Sequence, residues 1–283
     1  PRALPVVWDD PTTAEVEVPE EWVIGGLHIV VSWRDIWRTQ YLASFVGLVQ
    51  GDLGLSYRQR DRAVAEILGD GLPCSLILGG QALLVALLIG IPIGLLAGLK
   101  QNRWQDYTFM TLAMVGVSIP NFVLAPLLIL VFAVGLGWFS IAGWESWSDS
   151  ILPSIALGLY FGAYVARLTR SGVLEVIRQD YIRTARAKGL PERLVITRHA
   201  LKGSLLPVVS YLGPATAALL TGSVVIETIF SLPGIGTHFV QGALNRDYNL
   251  VLGTVILYST LLVVLNLLVD VAYSFLDPRV KLG

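Results

Sequence analysis

The chain of 283 residues is 54% hydrophobic and only 14% charged, whereas an ordinary soluble domain is about 25% charged. This composition argues against a soluble globular protein, and the formal net charge of -1 excludes the basic field on which a nucleic-acid partner depends. A single cysteine, Cys74, excludes an internal disulfide and any metal site built from several cysteines.

Residues 1–72 precede the long apolar segments and carry 11 acidic against six basic side chains. We predict an extracytoplasmic region whose helical part runs over 33–68. Export of such a region requires a membrane helix before it, and the sequence begins at Pro1 without a signal-like segment. We therefore expect a first membrane helix upstream of this chain.

Five apolar, charge-poor segments follow, and each approaches or reaches the roughly 20 residues with which a helix crosses a hydrocarbon core of about 30 Å. They predict an all-α polytopic membrane protein, with five spans in this chain and a sixth upstream. Core helices of a large soluble protein are the alternative, which the lengths disfavour. The spans are expected at about 73–99, 108–134, 153–172, 206–230 and 250–273.

The charges between the spans orient them. Residues 167–202 carry nine basic against three acidic side chains, so the positive-inside rule places this segment in the cytoplasm. The loops 139–152 and 231–249 contain a single arginine and no lysine. We therefore predict that residues 1–72 lie outside and that the tail 276–283 is cytoplasmic.

The cytoplasmic segment 177–203 contains the sharpest local pattern. Asp180 suits the N-cap of a short helix that ends at Lys188, and Gly189 suits the left-handed position that follows it. Pro191 suits the first turn of a second helix. The pattern predicts a bracket of two short helices that projects from the membrane.

The first helix of this bracket predicts an apolar ridge. Ile182 and Ala185 share one face at i, i+3 and are flanked by Arg183, Arg186 and Lys188. Such a ridge with a basic rim is suited to docking in a groove of another protein. The alternative is a loop whose arginines only lie near anionic lipid.

A spacing within the bracket resembles the EAA motif, EAA-x3-G-x9-I-x-L-P, of ATP-binding-cassette importer permeases. Ala185, Gly189 and Leu201 match it outright, while other residues stand where the motif has glutamate, isoleucine and proline. The stretches 180–190 and 198–202 are similar to the variant typical of the dipeptide and oligopeptide permease family. Arg183 stands in place of the glutamate of the EAA motif, His199 in place of its isoleucine and Lys202 in place of its proline.

Three further segments resemble the same family of binding-protein-dependent inner-membrane components. They are Gly51–Ser56, Glu227–Gly236 and Asp277–Arg279, and their order relative to the predicted spans also fits. The resemblance covers about 37–283. It implies the type I importer transmembrane fold in a bacterial inner membrane, and it agrees with the expected upstream helix.

The resemblance implies a coupling helix that contacts a cytoplasmic ATPase. The implied partners are a second homologous permease, two cytoplasmic ATPase subunits or domains that bind ATP and magnesium, an extracytoplasmic solute-binding protein and membrane lipid. No cofactor is expected on this chain. The implied contact residues are Arg183, Thr184, Ala185, Arg186, Ala187, Lys188, Gly189, Leu190 and Pro191.

Polar residues within the predicted spans are candidates for the translocation path, because intramembrane polar groups are costly unless they serve a site or a neighbouring helix. For Asn266 and Asp270 on the last predicted span, packing between helices is the alternative. For the glutamate, the alternatives are an outer gate and a hydrogen bond to the 231–236 turn. The candidates are Ser118, Pro120, Asn121, Glu227, Asn266 and Asp270.

Gly90, Gly94 and Gly98 repeat at every fourth position of the first predicted span. Small residues at this spacing allow two helices to approach closely. We expect this ladder to pack against a second permease chain.

The sequence contains no P-loop, no HExxH and no G-x-S-x-G pattern. Residues 78–81 resemble the ATPase signature LSGGQ, but they lie inside a predicted span, and we interpret the match as chance. We therefore interpret the chain as a non-catalytic permease for short peptides or a related solute. The alternatives are an ion-coupled secondary transporter, for which inverted repeats and midplane ionisable residues are expected, and a membrane-embedded enzyme.

Overall fold

The computed structural model describes Gly47 and residues 51–59 and 61–276. The chain divides into two compact units, 1–54 and 55–283. In the described part of the first, Gly51 and Gly54 have positive φ angles of 79° and 75°. The described residues between 51 and 62 are not helical, which corrects the helix predicted through 33–68 over this stretch; residues 33–46 lie outside the described residues.

The second unit is built from helices, and no strand occurs among its described residues, where an isolated bridge joins Leu55 and Ala63. The all-α prediction is confirmed. The α-helices are α1 (Val64–Leu99), α2 (Trp104–Ser118), α3 (Asn121–Leu128), α4 (Ile151–Val176), α5 (Asp180–Ala187), α6 (Glu192–Leu194), α7 (Leu201–Ser204), α8 (Leu206–Ile229), α9 (Ile235–Leu244) and α10 (Tyr248–Leu276). A π-helical turn at Ile129–Gly135 follows α3, a second at Val195–Ala200 joins α6 to α7, and a 3₁₀ turn at Trp147–Ser150 precedes α4.

The glycine ladder of α1 packs against α4 of the same chain. A Cβ atom on Gly90 would lie 2.5 Å from the carbonyl oxygen of Gly162, and one on Gly94 would collide with the carbonyl oxygen of Ala166. Gly98 faces α4 in the same way. The expectation that the ladder meets a second permease chain is therefore wrong, because α4 of the same chain already fills the space that these glycines leave.

Helices α1 and α4 run parallel, since Gly158 of α4 lies beside Ala82 of α1 and Ala166 lies beside Gly94. Between Leu99 and Ile151 the chain must therefore return along this helix pair. The 26 residues of α4 are about 39 Å long at 1.5 Å per residue, and the return covers about this distance. Helices α2 and α3 and the π-helical turn make this return.

The return is bent within the span predicted at 108–134. The segments Trp104–Ser118 and Asn121–Gly135 meet at an angle of 102°. Ile119 is extended at φ -85° and ψ 117°, the conformation that the ring of a following proline favours. Pro120 therefore ends α2 and starts a new helix.

Three of the described helical segments are long and apolar enough to cross a membrane, and the bent pair would make a fourth. The three are Val64–Leu99, Trp147–Val176 and Tyr248–Val269. The predicted span 206–230 coincides with α8, but the predicted number of five spans stays a prediction.

Much of the surface of α1 and α10 is aliphatic. Leu84 and Leu88 of α1 are exposed, the latter by 65%, and so are Leu252, Val263 and Leu267 of α10. Exposed apolar area on this scale is rare on soluble monomers and suits contact with lipid or with other membrane helices.

Candidate functional site

The predicted bracket lies between α4 and α8, and its first helix α5 ends in a Schellman motif. The Leu190 N–H donates to the Ala185 carbonyl over 3.4 Å, and the Gly189 N–H donates to the Arg186 carbonyl over 2.9 Å. Gly189 has φ +73°, which confirms its predicted left-handed conformation.

The N-terminal signal of α5 differs from the prediction. Gln179 occupies the N-cap with no side-chain cap hydrogen bond, and Asp180 is the first helical residue. Asp180 still favours the helix start electrostatically, because a carboxylate in the first turn lies near the positive end of the helix dipole. Pro191 is the N-cap of α6, one position before its predicted place.

The apolar ridge of α5 faces inward. Ile182 is 0% exposed and Ala185 is 6% exposed, and both pack in one cluster with Val176, Val195 and Ala200. The prediction that this ridge docks on another protein is wrong. The reason is physical, because an eight-residue helix gains too little from its own hydrogen bonds and is stabilised by burying its apolar face.

The outer surface of the bracket consists of the remaining predicted residues, of which three are basic. Arg186 donates to both carboxylate oxygens of Glu192 over 2.7 and 3.1 Å. The Arg186 guanidinium holds the pKa of the Glu192 carboxyl below its usual value through this hydrogen bond. The pair ties α5 to α6 across the turn. The exposed residues are Arg183, Thr184, Arg186, Ala187, Lys188, Gly189 and Pro191, and Leu190 is half-buried.

The bracket is joined tightly to the long helices. Gly172 of α4 lies so close to the Ser204 carbonyl of α7 that a Cβ atom could not be accommodated. On the other side, a Cβ atom on Gly203 would lie 3.2 Å from the Val176 side chain. The C-terminal end of the bracket is therefore packed closely against the end of α4.

An ion pair with a buried carboxylate, which sequence reasoning missed, lies two residues before Gly172 on α4. Arg170 of α4 donates to both oxygens of Asp106 in α2 over 2.6 and 2.8 Å. Asp106 is 2% exposed and also accepts the Asn102 N–H over 3.0 Å. The two residues stand 64 positions apart, so no local pattern predicts their pairing.

Glu227, a predicted path residue, is 0% exposed and caps a helix. Its Oε2 accepts the N–H groups of Gly236 and Thr237 over 2.8 and 3.3 Å, at the N-terminus of α9. Its Oε1 accepts the Ser75 and Ser223 hydroxyls, each over 2.8 Å. These contacts favour the structural alternative over the outer gate.

The glycines of the 227–236 motif make this cap possible. A Cβ atom on Gly234 would collide with the Glu227 carboxylate, and one on Gly236 would lie 2.6 Å from the Val224 Cα atom of α8. The two glycines of the motif are therefore explained by close packing against Glu227 and α8. Glycine at both positions lets α9 bring its N-terminus onto a buried carboxylate.

The remaining predicted path residues with described side chains lie at two places, the break between α2 and α3 and the contact of α10 with α8. The Ser118 hydroxyl donates to the Met114 carbonyl over 2.8 Å, and Pro120 is the N-cap of α3. The Asn121 Oδ1 atom is buried and accepts no hydrogen bond from the described residues. Asn266 of α10 lies against α8, 2.8 Å from where a Cβ atom on Gly213 would be. The side chain of Asp270 lies outside the described residues.

The segment that follows Gly54 closes onto the loop between α9 and α10. Asp247 is buried and accepts the Ser56 hydroxyl and the backbone N–H groups of Tyr57 and Arg58. The Asn249 side chain donates to the Leu55 carbonyl over 2.9 Å. Leu55 and Ser56, at the end of the family-like segment Gly51–Ser56, therefore have a structural role in this closure. These contacts were not predicted, because the partners stand about 190 residues apart in sequence.

This closure predicts a pH dependence. Burial raises the pKa of Asp247, but the hydrogen bonds from Ser56, Tyr57, Leu250 and Arg58 outweigh it, and the pKa lies below its usual value. A carboxylate with a depressed folded-state pKa contributes stability above the unfolded value of about 3.9, which is lost as the pH falls through the folded value. We expect the thermal stability advantage of the wild type over Asp247→Asn to be full at pH 6 and to shrink below about pH 4. Unfolding midpoints in detergent test this, and an advantage that is the same at pH 6 and pH 3 would contradict it.

Residues 90–282 match the model of a family described as binding-protein-dependent transport system inner membrane component. Among curated proteins, the chain is 47% identical over 96% of its length to 89% of the oligopeptide transport system permease protein OppB of Salmonella typhimurium. It is 45% identical over 86% of its length to 79% of the dipeptide transport system permease protein DppB of Bacillus subtilis.

Solved structures share the fold. The chain matches the MetNI methionine ABC transporter in an inward facing conformation with a TM-score of 0.65 at 18% identity, over 75% of this chain and 96% of that chain. An amino acid ABC transporter with histidines matches with a TM-score of 0.58 at 16% identity, over 81% of this chain and 97% of that chain. The predicted importer transmembrane fold is confirmed.

Proposed function

The chain belongs to the family of binding-protein-dependent transport system inner membrane components, and from this premise we propose that it forms part of a translocation path for short peptides. It is a non-catalytic inner-membrane permease subunit of an ATP-driven importer. The peptide substrate is supported by relatives that are named as oligopeptide and dipeptide permeases and that align over most of the chain.

A permease of this family has ATPase and solute-binding partners. We infer an assembly with a second homologous permease, two cytoplasmic ATPase subunits that bind ATP and magnesium, and an extracytoplasmic binding protein. Residues 1–72 lie outside and 276–283 inside in this proposal. The parallel course of α1 and α4 supports it, because a single crossing between two parallel spans places the residues before α1 on the same side as the loop 139–152 and opposite the basic segment 167–202.

The bracket 177–203 is the proposed ATPase contact, and its fixed geometry is the observation that carries this assignment. The Schellman turn at Gly189 and the Arg186–Glu192 pair fix the two short helices relative to each other, and the contact of Gly172 with Ser204 fixes the end of the bracket against α4. A nucleotide-driven change can bias the permease only through contacts that differ between its states. In this proposal Ile182 and Ala185 support the bracket from inside, and the exposed basic residues meet the ATPase.

Purification and transport test this proposal. We expect a tagged full-length protein, extracted in mild detergent from its native membrane, to carry a second permease and P-loop ATPases in stoichiometric amounts. Reconstituted with its binding protein, the complex should import short peptides only when ATP is supplied. Uptake driven by an ion gradient without ATP, from a chain that purifies alone, would instead establish the secondary transporter.

A further inference from the structure

The cytoplasmic half of α4, as oriented above, carries an arginine with aromatic neighbours that the function described so far does not use. Tyr160, Tyr164, Arg167 and Ser171 stand at i, i+4, i+7 and i+11 and therefore share one face of the helix. Arg167 is nine residues, or about 14 Å, from the end of α4. It lies within the predicted span 153–172, toward its cytoplasmic end and at the start of the basic segment 167–202, and inside a segment that is long and apolar enough to span a membrane.

This face differs from the rest of the exposed membrane surface. The exposed positions of α1 and α10 named above are aliphatic, whereas Arg167 is exposed and its aromatic neighbours are half-buried. A cation within a span is stable where it faces a water-filled cavity or an anionic partner. The polar face of α4 is therefore suited to a path and not to lipid.

The arginine is held in a defined position. Its guanidinium carbon lies 4.6 Å from the centre of the Tyr164 ring. Tyr164 in turn stacks on Tyr211 of α8 with ring centres 6.0 Å apart and planes inclined by 24°, and it contacts Tyr160 at 5.4 Å. Two helices thus orient the ring that supports the cation.

The bonding capacity of Arg167 is left available by this arrangement. A cation over a ring uses the face of the guanidinium, so its in-plane N–H donors still point outward. Among the described residues, Arg167 has no acidic side chain within 4 Å. Two parallel N–H donors of a guanidinium match the two oxygens of a carboxylate.

A cavity of about 360 Å³ opens at this point and is lined by Tyr164, Arg167, Leu168 and Tyr211. Its size lies within the range of small-ligand sites, and its lining combines one cation with aromatic and aliphatic surface. We propose that Arg167 and this cavity form a transient site for the C-terminal carboxylate and last side chain of a peptide in transit. This site rests on the proposed peptide import and adds the part of the substrate that the chain recognises.

The test uses the intact importer with its binding protein in proteoliposomes. Uptake of one short peptide with a free C-terminal carboxylate is compared with uptake of the same peptide as its C-terminal amide. We expect Arg167→Gln to slow the acid about tenfold, the effect of one lost charge-assisted hydrogen bond, and to leave the amide nearly unchanged. Any preference of the binding protein cancels, because the ratio of acid to amide is compared between variants.

Control variants separate the site from general effects. Arg103→Gln removes the same charge from an exposed position before α2 and should leave the ratio unchanged. Tyr164→Phe retains the ring under the guanidinium and should keep most of the acid preference, whereas Tyr164→Leu should lose much of it. This second pair tests the proposal even where Arg167→Gln fails to assemble.

Each alternative outcome is distinct. Equal slowing of acid and amide by Arg167→Gln would overturn the site and point to pairing with an acidic residue of the second permease. An unchanged ratio in Arg167→Gln, while the wild type imports both peptides, would overturn the site alone. Absence of ATP-driven uptake in the wild type would overturn the proposed function together with the site.

Discussion

Replacing Gly189 with valine is expected to reduce peptide uptake about tenfold while ATP hydrolysis continues. Gly189 has φ +73°, where a side chain costs about 1–2 kcal/mol and a β-branched one is a steric outlier. A Cβ atom there would meet nothing within 4 Å, so the effect comes from the backbone alone. A strain of about 1.4 kcal/mol lowers the equilibrium constant for forming the bracket tenfold, and this factor sets the scale of the expected fall in uptake.

The measurement is the ratio of peptide imported to ATP hydrolysed in proteoliposomes. Gly69→Val is the matched control, because Gly69 is an exposed glycine within α1 that also has open space around its Cβ position and does not have a positive φ. Gly189→Asn should retain more coupling than valine, since asparagine tolerates the left-handed region better. Normal uptake by Gly189→Val, in a complex of normal composition, would contradict the assignment of the bracket as the coupling element.

Removing the carboxylate of Asp106 is expected to destabilise the protein by about 3 kcal/mol, the lower end for breaking a buried ion pair. The lower end applies because the Arg170 side chain keeps 29% of its exposure and can recover some hydration. The loss should release the start of α2 from α4, two residues before the contact of Gly172 with the bracket.

A double-mutant comparison isolates this pair. Asp106→Leu should lower the unfolding midpoint in detergent strongly, because it leaves the Arg170 guanidinium without its partner. Adding Arg170→Met should recover a large part of the loss, since an apolar pair of similar size carries no uncompensated charge. If the double variant is as unstable as the sum of both single variants, the two residues act independently and the pair is not the cause.

The amino-acid sequence by itself determined the class of this protein. Its low charge, its apolar segments and the basic residues between them predict a helical membrane protein, and α1, α4, α8 and α10 contain the predicted spans or coincide with them. Gly189 was also predictable, because the conformational freedom of glycine at a helix end is a local property.

Only the tertiary structure decided which surfaces are covered and by what. Helical periodicity shows that Ile182 and Ala185 share a face, but the partner on that face proved to be the chain itself. The glycine ladder of α1 was read correctly as a close contact and assigned to the wrong neighbour for the same reason.

The pairs that organise the ends of the helices were equally beyond sequence reasoning. The pairs Asp106–Arg170 and Ser56–Asp247 join segments that are 64 and 191 residues apart. Glu227 belongs to α8 and caps the N-terminus of a different helix, α9. Local patterns report the preferences of neighbouring residues. A polar group buried at low dielectric takes whichever partner the packing of the long helices brings within reach, and that choice is made by the whole fold.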